Sequence, residues 1–165
     1  MKTKTIISIV AAVSAVMITS CKTQDKLAVN YTYESECLGI DLDGSQTLKV
    51  WGTGRTREEA IEQAKKNGVR DVLFKGIRKG KPDCDLRPVL AGVNVQEKNE
   101  SYFNTFFAHN GAYKDFISIR KDYIGKTNEV EFASSSKNNK LYSVIIMVQR
   151  AQIKERMIQD RILTP

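Results

Sequence analysis

Gln46-Thr47-Leu48-Lys49-Val50-Trp51-Gly52-Thr53-Gly54 passes through Arg55 into Thr56-Arg57-Glu58-Glu59-Ala60, and this junction decides the fold. Before Gly54 the pattern has period two: Leu48 and Val50 share a face while Trp51 points the other way, as in a strand. After it the period changes. Thr56 and Glu59 make the T-x-x-E capping box, in which a hydroxyl and a carboxylate satisfy amide donors at a helix start. Ala60, Ile61, Ala64, Gly68, Val69, Val72 and Leu73 then recur at helical spacing. The spacing predicts a helix from about Arg57 to Phe74, stopping near Gly76. Strand, tight turn and helix thus follow within thirty residues.

Working outward, Tyr31 to Leu42 reads as a preceding strand, with apolar Leu38, Ile40 and Leu42 at period two. Asp43-Gly44 between two strand-like runs predicts a hairpin whose two central residues take positive φ. Downstream, Gly80, Pro82, Cys84, Pro88 and Gly92 break regular structure, leaving room for a short strand over Val89 to Val95. Glu100 to Ala108 places Tyr102, Phe103, Phe106 and Phe107 along one side of a helix, and Tyr113 and Phe116 extend the cluster. Phe116 to Ile119 fits a helical turn or an edge strand equally. Thr127 to Ala133 reads as a strand, residues 134–139 as a polar turn, and Leu141 to Val148 as a strand apolar on both faces, suited to a sheet centre. Ile153, Met157, Ile158 and Ile162 mark a final amphipathic helix. The predicted class is α+β: a two-layer sandwich of a mostly antiparallel sheet of about four strands with helices on one face.

The first twenty residues differ from this domain. They carry Lys2, Lys4, no acid, and an apolar run from Ile6 to Ile18 broken only by Ser8 and Ser14. As a helix that run rises about 20 Å, short of a bilayer core of roughly 30 Å, so it reads as a secretory signal and not a permanent span. Ile18-Thr19-Ser20-Cys21 resembles a bacterial lipobox, which implies lipidation of Cys21, palmitate among the acyl chains, and removal of residues 1–20. The mature chain would start at Cys21, lose two lysines, and fall from a formal charge of +7 to +5. Residues 21–30 would be a lipidated tether and 31–165 a single domain. Two or more acyl chains hold a protein on a bilayer nearly permanently. An Asp after the lipidated cysteine favours inner-membrane retention in such proteins; Lys22 stands there, so the expected location is the bacterial outer membrane, facing the periplasm.

In that oxidising compartment the remaining cysteines, Cys37 and Cys84, are candidates for a disulfide, the alternative being two buried free thiols. A bridge would close a 48-residue loop, worth roughly 4 kcal/mol in the chain-entropy treatment.

Trp51-Gly52-Thr53-Gly54, Thr56, Glu59-Ala60, Ala64 and Val69 together resemble the module of LPP20-type lipoproteins and the N-terminal part of the flagellar assembly protein FlgT. About a fifth of the chain carries the resemblance, and Gly68 departs from it, standing where that module prefers Ala. It implies envelope-associated assembly without catalysis.

Chemical motifs are sparse. Gly52-Thr53-Gly54 has Arg57 where a dinucleotide fingerprint needs its third glycine, so a tight strand-to-helix turn accounts for the glycines, with a phosphate held at the helix start by Arg55 and Arg57 as the lesser reading. Asp41-Leu42-Asp43-Gly44 begins like a calcium loop but has Gln46 and Gly52 at the positions of the required glycine and glutamate. His109 is the single histidine, expected at a helix C-terminus, and no cysteine has a metal-ligand spacing. No metal and no cofactor are expected. Glu34 with Glu36, or Glu129 with Glu131, could pair on a strand face as hydrolase carboxylates or be merely solvated. Lys65, Lys66, Arg70, Lys75, Arg78, Lys79 and Lys81, with Asp71 the only acid among them, form a basic segment that reads as a solvated face or as a partner-binding surface.

The resulting expectation is a non-enzymatic lipoprotein, attached to the bilayer through Cys21, that scaffolds an envelope assembly such as a secretion or surface-appendage complex. Protein partners are expected, peptidoglycan is a candidate, and nucleic acid is not. The alternatives are a cell-wall or small-ligand binding module with a pocket near Gly52-Thr53-Gly54, and a peptidoglycan hydrolase.

Overall fold

The computed structural model describes residues 33–120, 130–135 and 139–164, and for 130–135 the backbone alone. Six strands form one sheet: β1 (Glu36–Ile40), β2 (Gln46–Gly54), β3 (Lys79–Gly80), β4 (Ile117–Ile119), β5 (Val130–Ser135) and β6 (Lys140–Val148). Their order is β3-β1-β2-β6-β4, with β5 also paired to β6. All pairings are antiparallel except β1 with β3. The helices are α1 (Arg57–Arg70), α2 (Val95–Lys98), α3 (Glu100–Phe106) and α4 (Arg150–Gln159), plus a π turn over Asp71–Lys75 and a 3-10 turn over Ala112–Phe116. The class is α+β, as the change of period at Gly54 predicts.

The central pair is β2 and β6. Their register sets Leu48 opposite Ile146 and Val50 opposite Val144. These four side chains are fully buried and face α1, whose buried stripe is Ala60, Ala64, Gly68 and Val69. The approach is close enough to exclude side chains on either surface. A Cβ at Gly52 would lie 2.2 Å from the Ala60 carbonyl oxygen and the Ala64 nitrogen, and one at Gly68 would lie 2.7 Å from Ile146 Cδ1. Gly52 and Gly54 therefore serve backbone contact between strand and helix; neither has a positive φ, and the turn-geometry explanation for them is corrected. On the opposite face of β6, Leu141, Ser143 and Ile145 are also buried.

Helix α1 starts with the hydroxyl half of the capping box, while the carboxylate half is displaced by one residue. Thr56 Oγ1 accepts the Glu59 N–H at 3.2 Å, while the Glu59 carboxylate reaches back to the Arg55 N–H at 2.8 Å. The π turn carries the helix on to Lys75, and the Gly76 N–H closes it on the Asp71 carbonyl. Carbonyls at such an end lack helical partners. The Val72 and Leu73 carbonyls receive the N–H groups of Val89 and Leu90. That pairing replaces the short strand expected over Val89 to Val95, where α2 starts instead.

Other boundaries shift for local reasons. Among the described residues the first strand spans only Glu36–Ile40, bulged between Cys37 and Gly39, and stops short of Leu42; Tyr31 and Thr32 of the expected strand lie outside the described residues. The β1–β2 connection closes through Asp41 N–H to Ser45 O and Gly44 N–H to Asp41 O, with positive φ at Gly44 alone. The two-residue turn with positive φ at both centres is thus replaced by a five-residue loop. Phe116 to Ile119 is divided: the 3-10 turn ends at Phe116 and Ile117 opens β4. Both β4 and β5 lie along the same side of β6, one against Ile146–Val148 and the other against Lys140–Val144. Six strands exceed the expected four because β3, of two residues, is too short to leave a pattern in sequence, and β4 is the edge-strand alternative over Phe116 to Ile119.

Cys37 and Cys84 form a disulfide that ties β1 to the irregular segment after β3. The Lys81 N–H to Cys37 carbonyl bond and the Cys84 N–H to Lys81 carbonyl bond, both 3.1 Å, hold that segment against the bridge. The aromatic residues complete the core: Phe103, Phe106, Phe107, Tyr113 and Phe116 are buried in one cluster with the β2, β6 and α4 side chains. Edge-to-face contacts join Phe74 to Phe103 at 4.9 Å and Phe106 to Phe107 at 5.0 Å, each worth about 0.5–1.5 kcal/mol beyond burial.

Replacing Gly52 by Ala should lower stability by about 3 kcal/mol or more, since the added methyl meets backbone on both sides. Gly68→Ala should cost less, because the added methyl meets side chains and not backbone, Ile146 Cδ1 at 2.7 Å and Val50 Cγ1 at 2.9 Å, and Ala gains roughly 1 kcal/mol of helix propensity. Urea midpoints of the two variants check the order.

Candidate functional site

The G-x-G turn opens onto a cleft of about 520 Å³ lined by Thr53, Gly54, Glu58, Glu59, Glu62, Gln63, Lys66, His109 and Lys114. Its wall is the polar side of α1, aimed outward because Ala60, Ala64 and Gly68 pin the opposite side to the sheet. The facing wall is the segment from His109 to Lys114, held by the aromatic cluster beneath it.

Glu62 is the centre of its charge network. The Tyr113 hydroxyl donates to Glu62 Oε1, Lys114 Nζ lies 3.2 Å from the same oxygen, and Lys65 Nζ lies 3.3 Å from Oε2. Partial burial would raise the Glu62 pKa, but these three donors outweigh it and lower it from 4.5 to about 2. Glu62 is therefore ionised throughout the neutral range and holds no proton to donate. Burial and the Glu62 charge push the Tyr113 phenol well up, so it remains a hydrogen-bond donor. The phosphate reading of the α1 start fails on local chemistry: the Glu59 carboxylate occupies the Arg55 N–H, and Glu58 and Glu59 both stand in the first turn.

The basic segment divides when folded. Lys65 pairs with Glu62. Lys66 Nζ lies 5.5 Å from the centre of the Tyr113 ring and the Arg70 guanidinium 4.9 Å from that of Phe107, so both cover the aromatic core as cation–π contacts. Lys75 pairs with Asp71 and Lys79 with Glu34, each at 3.5 Å. Arg78 and Lys81 are exposed and make no ion pair among the described residues. Lys79 and Lys81 lie at or just beyond β3 beside the disulfide, away from the cleft wall that Lys66 lines.

Among the described residues no group of three or more histidine, cysteine or acidic side chains could hold a metal ion. Asp41, first residue of the apparent calcium loop, instead takes Arg120 Nη1 on both carboxylate oxygens at 2.5 Å and the Thr47 hydroxyl at 2.9 Å. Asp43 accepts the N–H and hydroxyl of Ser45. The aromatic run is core, not a docking patch: Tyr113 is fully buried, and Tyr102 is half-buried with its hydroxyl on Asp160. His109 is exposed on the cleft rim just beyond α3. Glu36 is exposed and Glu34 is engaged by Lys79; Cys21 and Glu129, and the side chain of Glu131, lie outside the described residues. Sequence reasoning missed Glu62, Tyr113 and Lys114 as a unit, since Glu62 and Tyr113 stand 51 positions apart and no motif links them.

No protein-family model matches this chain, and neither a curated protein nor a solved structure matches it. No helix among the described residues is long and apolar enough to cross a membrane.

A carboxylate whose pKa is lowered on folding stabilises the native state above its unfolded value, and that contribution disappears as pH falls through the folded value. For Glu62 the window runs from about pH 4.5 down to about 2. Glu62→Gln should flatten the loss of stability across that window, as followed by thermal melts at successive pH values, and an unchanged slope would remove Glu62 from the account.

Proposed function

We propose that this chain is a lipid-anchored protein of the bacterial envelope whose folded domain is a non-enzymatic scaffold or assembly component, with acylated Cys21 in the outer membrane and the domain facing the periplasm. The observation that carries the proposal is the Cys37–Cys84 disulfide in a chain that begins with a signal-like segment ending in Ile18-Thr19-Ser20-Cys21. Disulfides persist in oxidising compartments. Pairing Cys37 with Cys84 also leaves Cys21 as the thiol open to acylation. The scaffold role draws support from the resemblance around Trp51 to Val69 and from Arg78 and Lys81, exposed cations without an ion pair among the described residues, beside a strand edge that could receive an acidic protein surface.

A second reading, a cell-wall or small-ligand binding module, is favoured by the cleft beside Thr53 and Gly54, which lies where such a module needs one. Its lining of three glutamates, two lysines and a histidine suits a polar ligand of mixed charge. For a peptidoglycan hydrolase, Glu62, held ionised by its three donors, would not serve as the proton donor.

Cys21→Ala should move the protein from the membrane to the soluble fraction on cell fractionation; retention in the membrane would refute the anchor. Mild crosslinking of the wild type in native membranes should recover partners in fixed stoichiometry, and their absence would favour the ligand-binding module.

A further inference from the structure

A second cleft, of about 380 Å³, opens at the hairpin end of the domain, between the β1–β2 loop, the segment after Cys84 and the start of α4. Its apolar lining is Ile40, Pro88, Val89 and Ala151. Four large hydrophobic side chains are exposed among the described residues, and three of them gather here. Ile40 lines the cleft, Leu42 stands in the loop between the lining residues Ile40 and Gly44, and Leu86 stands between Asp85 and Arg87, which also line it. Single exposed leucines are ordinary, whereas several around one concavity mark an interaction surface.

This surface is held in place from behind. Asp85 receives Gln46 Nε2 on its carbonyl at 2.9 Å, and its carboxylate takes the Arg87 N–H at 3.1 Å and Arg150 Nη2 at 3.0 Å. The remaining atoms of that network, Gln46 Oε1 and Arg150 Nη1, are buried without a protein partner and offer nothing to a ligand in the cleft. The loop that carries Leu42 is fixed as well. Its Asp41 N–H bonds the Ser45 carbonyl, Asp43 accepts the Ser45 N–H and hydroxyl, and Arg120 clamps Asp41. A fully exposed leucine on an ordered loop docks with little of the usual ordering cost.

Charge selects the occupant. Asp85 is the only acid lining the cleft and is engaged by Arg150, and Asp41 and Asp43 of the loop are engaged as well. Arg87 and Lys154, in contrast, are exposed and make no ion pair among the described residues. An apolar surface bordered by uncompensated positive charge is complementary to a negatively charged partner. A second copy is disfavoured, because a two-fold contact here would bring the same cations together in a chain of net charge +7. The anchoring bilayer is disfavoured too: β1 leads away from the end where the chain enters the domain at Tyr33, and the cleft lies at the far end of that strand, at Ile40.

We infer that this cleft docks a protein partner through a segment of apolar side chains flanked by Asp or Glu. The apolar side chains cover Ile40, Leu42, Leu86 and Val89, and the carboxylates meet Arg87 and Lys154. The inference rests on the reading of the domain as an assembly component and gives it a partner surface distinct from that of Arg78 and Lys81.

Full-length protein in phosphatidylcholine nanodiscs would be titrated, by fluorescence anisotropy, with three labelled peptides: Asp-Leu-Glu-Leu-Asp-Leu-Glu, its counterpart with Lys for every acid, and its counterpart with Ser for every Leu. The acidic leucine peptide should bind saturably and about tenfold tighter than either counterpart, an advantage that shrinks as salt rises. Leu42→Ser, and Arg87→Glu combined with Lys154→Glu, are exposed changes that should each weaken it about tenfold with little change in melting temperature. No binding at millimolar peptide, equal binding of the Lys or Ser peptide, or wild-type affinity in both variants would overturn the inference. In native membranes, Leu42→p-benzoylphenylalanine should photocrosslink to an acidic protein, and Arg87→Glu with Lys154→Glu should abolish that adduct. An adduct with lipid or with a second copy would overturn the inference. Partners recovered by mild crosslinking but absent from the position-42 adduct would also overturn it, while leaving the scaffold reading standing.

Discussion

The fold depends on one close approach: the backbone of α1 against the backbone of β2. Gly52 and Gly54 remove side chains from the strand, Ala60 and Ala64 keep them small on the helix, and Gly68 repeats the device one turn further on against Val50 and Ile146. Dispersion is short-ranged, so a helix seated this low gains contact along its whole inner stripe, and even a methyl group of excess is felt. The same seating fixes the helix's rotation. With three small residues pinned inward, Glu58, Glu59, Glu62 and Lys66 can only face outward, and the cleft at the G-x-G turn follows from that.

A low-seated helix cannot by itself cover a six-stranded sheet, and the aromatic segment fills the remainder. Phe103, Phe106, Phe107, Tyr113 and Phe116 occupy the space beside α1, while α4 contributes Ile153 and Met157. The polar ends of these rings are tied at the periphery. Tyr113 reaches Glu62, and Tyr102 reaches Asp160, which also receives Arg156 Nε at 2.7 Å. Charged side chains of α1 close over the rings, so Lys66 and Arg70 contribute packing along with charge. Much of the positive charge between Lys65 and Lys81 is thereby committed within the molecule.

The disulfide solves a different difficulty. From Ile77 to Asn94 the chain has only β3 as regular structure, and few contacts other than Leu90, Ile77 and the bridge itself hold it inward. Joining Cys84 to Cys37 anchors this segment to a strand, and the pairing of Val89 and Leu90 with the last carbonyls of the α1 extension anchors its other end. Between these two points lies Asp85, whose backbone and carboxylate organise Gln46 and Arg150. An irregular segment fixed at both ends can hold polar groups in place without satisfying all of them.

Local periodicity determined the elements: the switch from period two to helical spacing at Gly54, the capping box at Thr56, and the apolar run of β6 each report interactions within a few residues, and each was legible. Pairing over distance was not. The Arg120 clamp on Asp41 joins residues 79 positions apart. The Glu62–Tyr113 bond and the two unpartnered atoms around Asp85 join segments with no common motif, and β3 exists only because β1 offers it an edge. An α+β chain with a close-packed strand–helix unit and two cysteines available to pair can be read from residue order, because backbone conformation and hydrophobic burial act locally and leave a period behind. Tertiary structure alone decided which charges are spent on the core and which face a cleft, because that depends on which distant side chains the packing of α1 brings within hydrogen-bond reach.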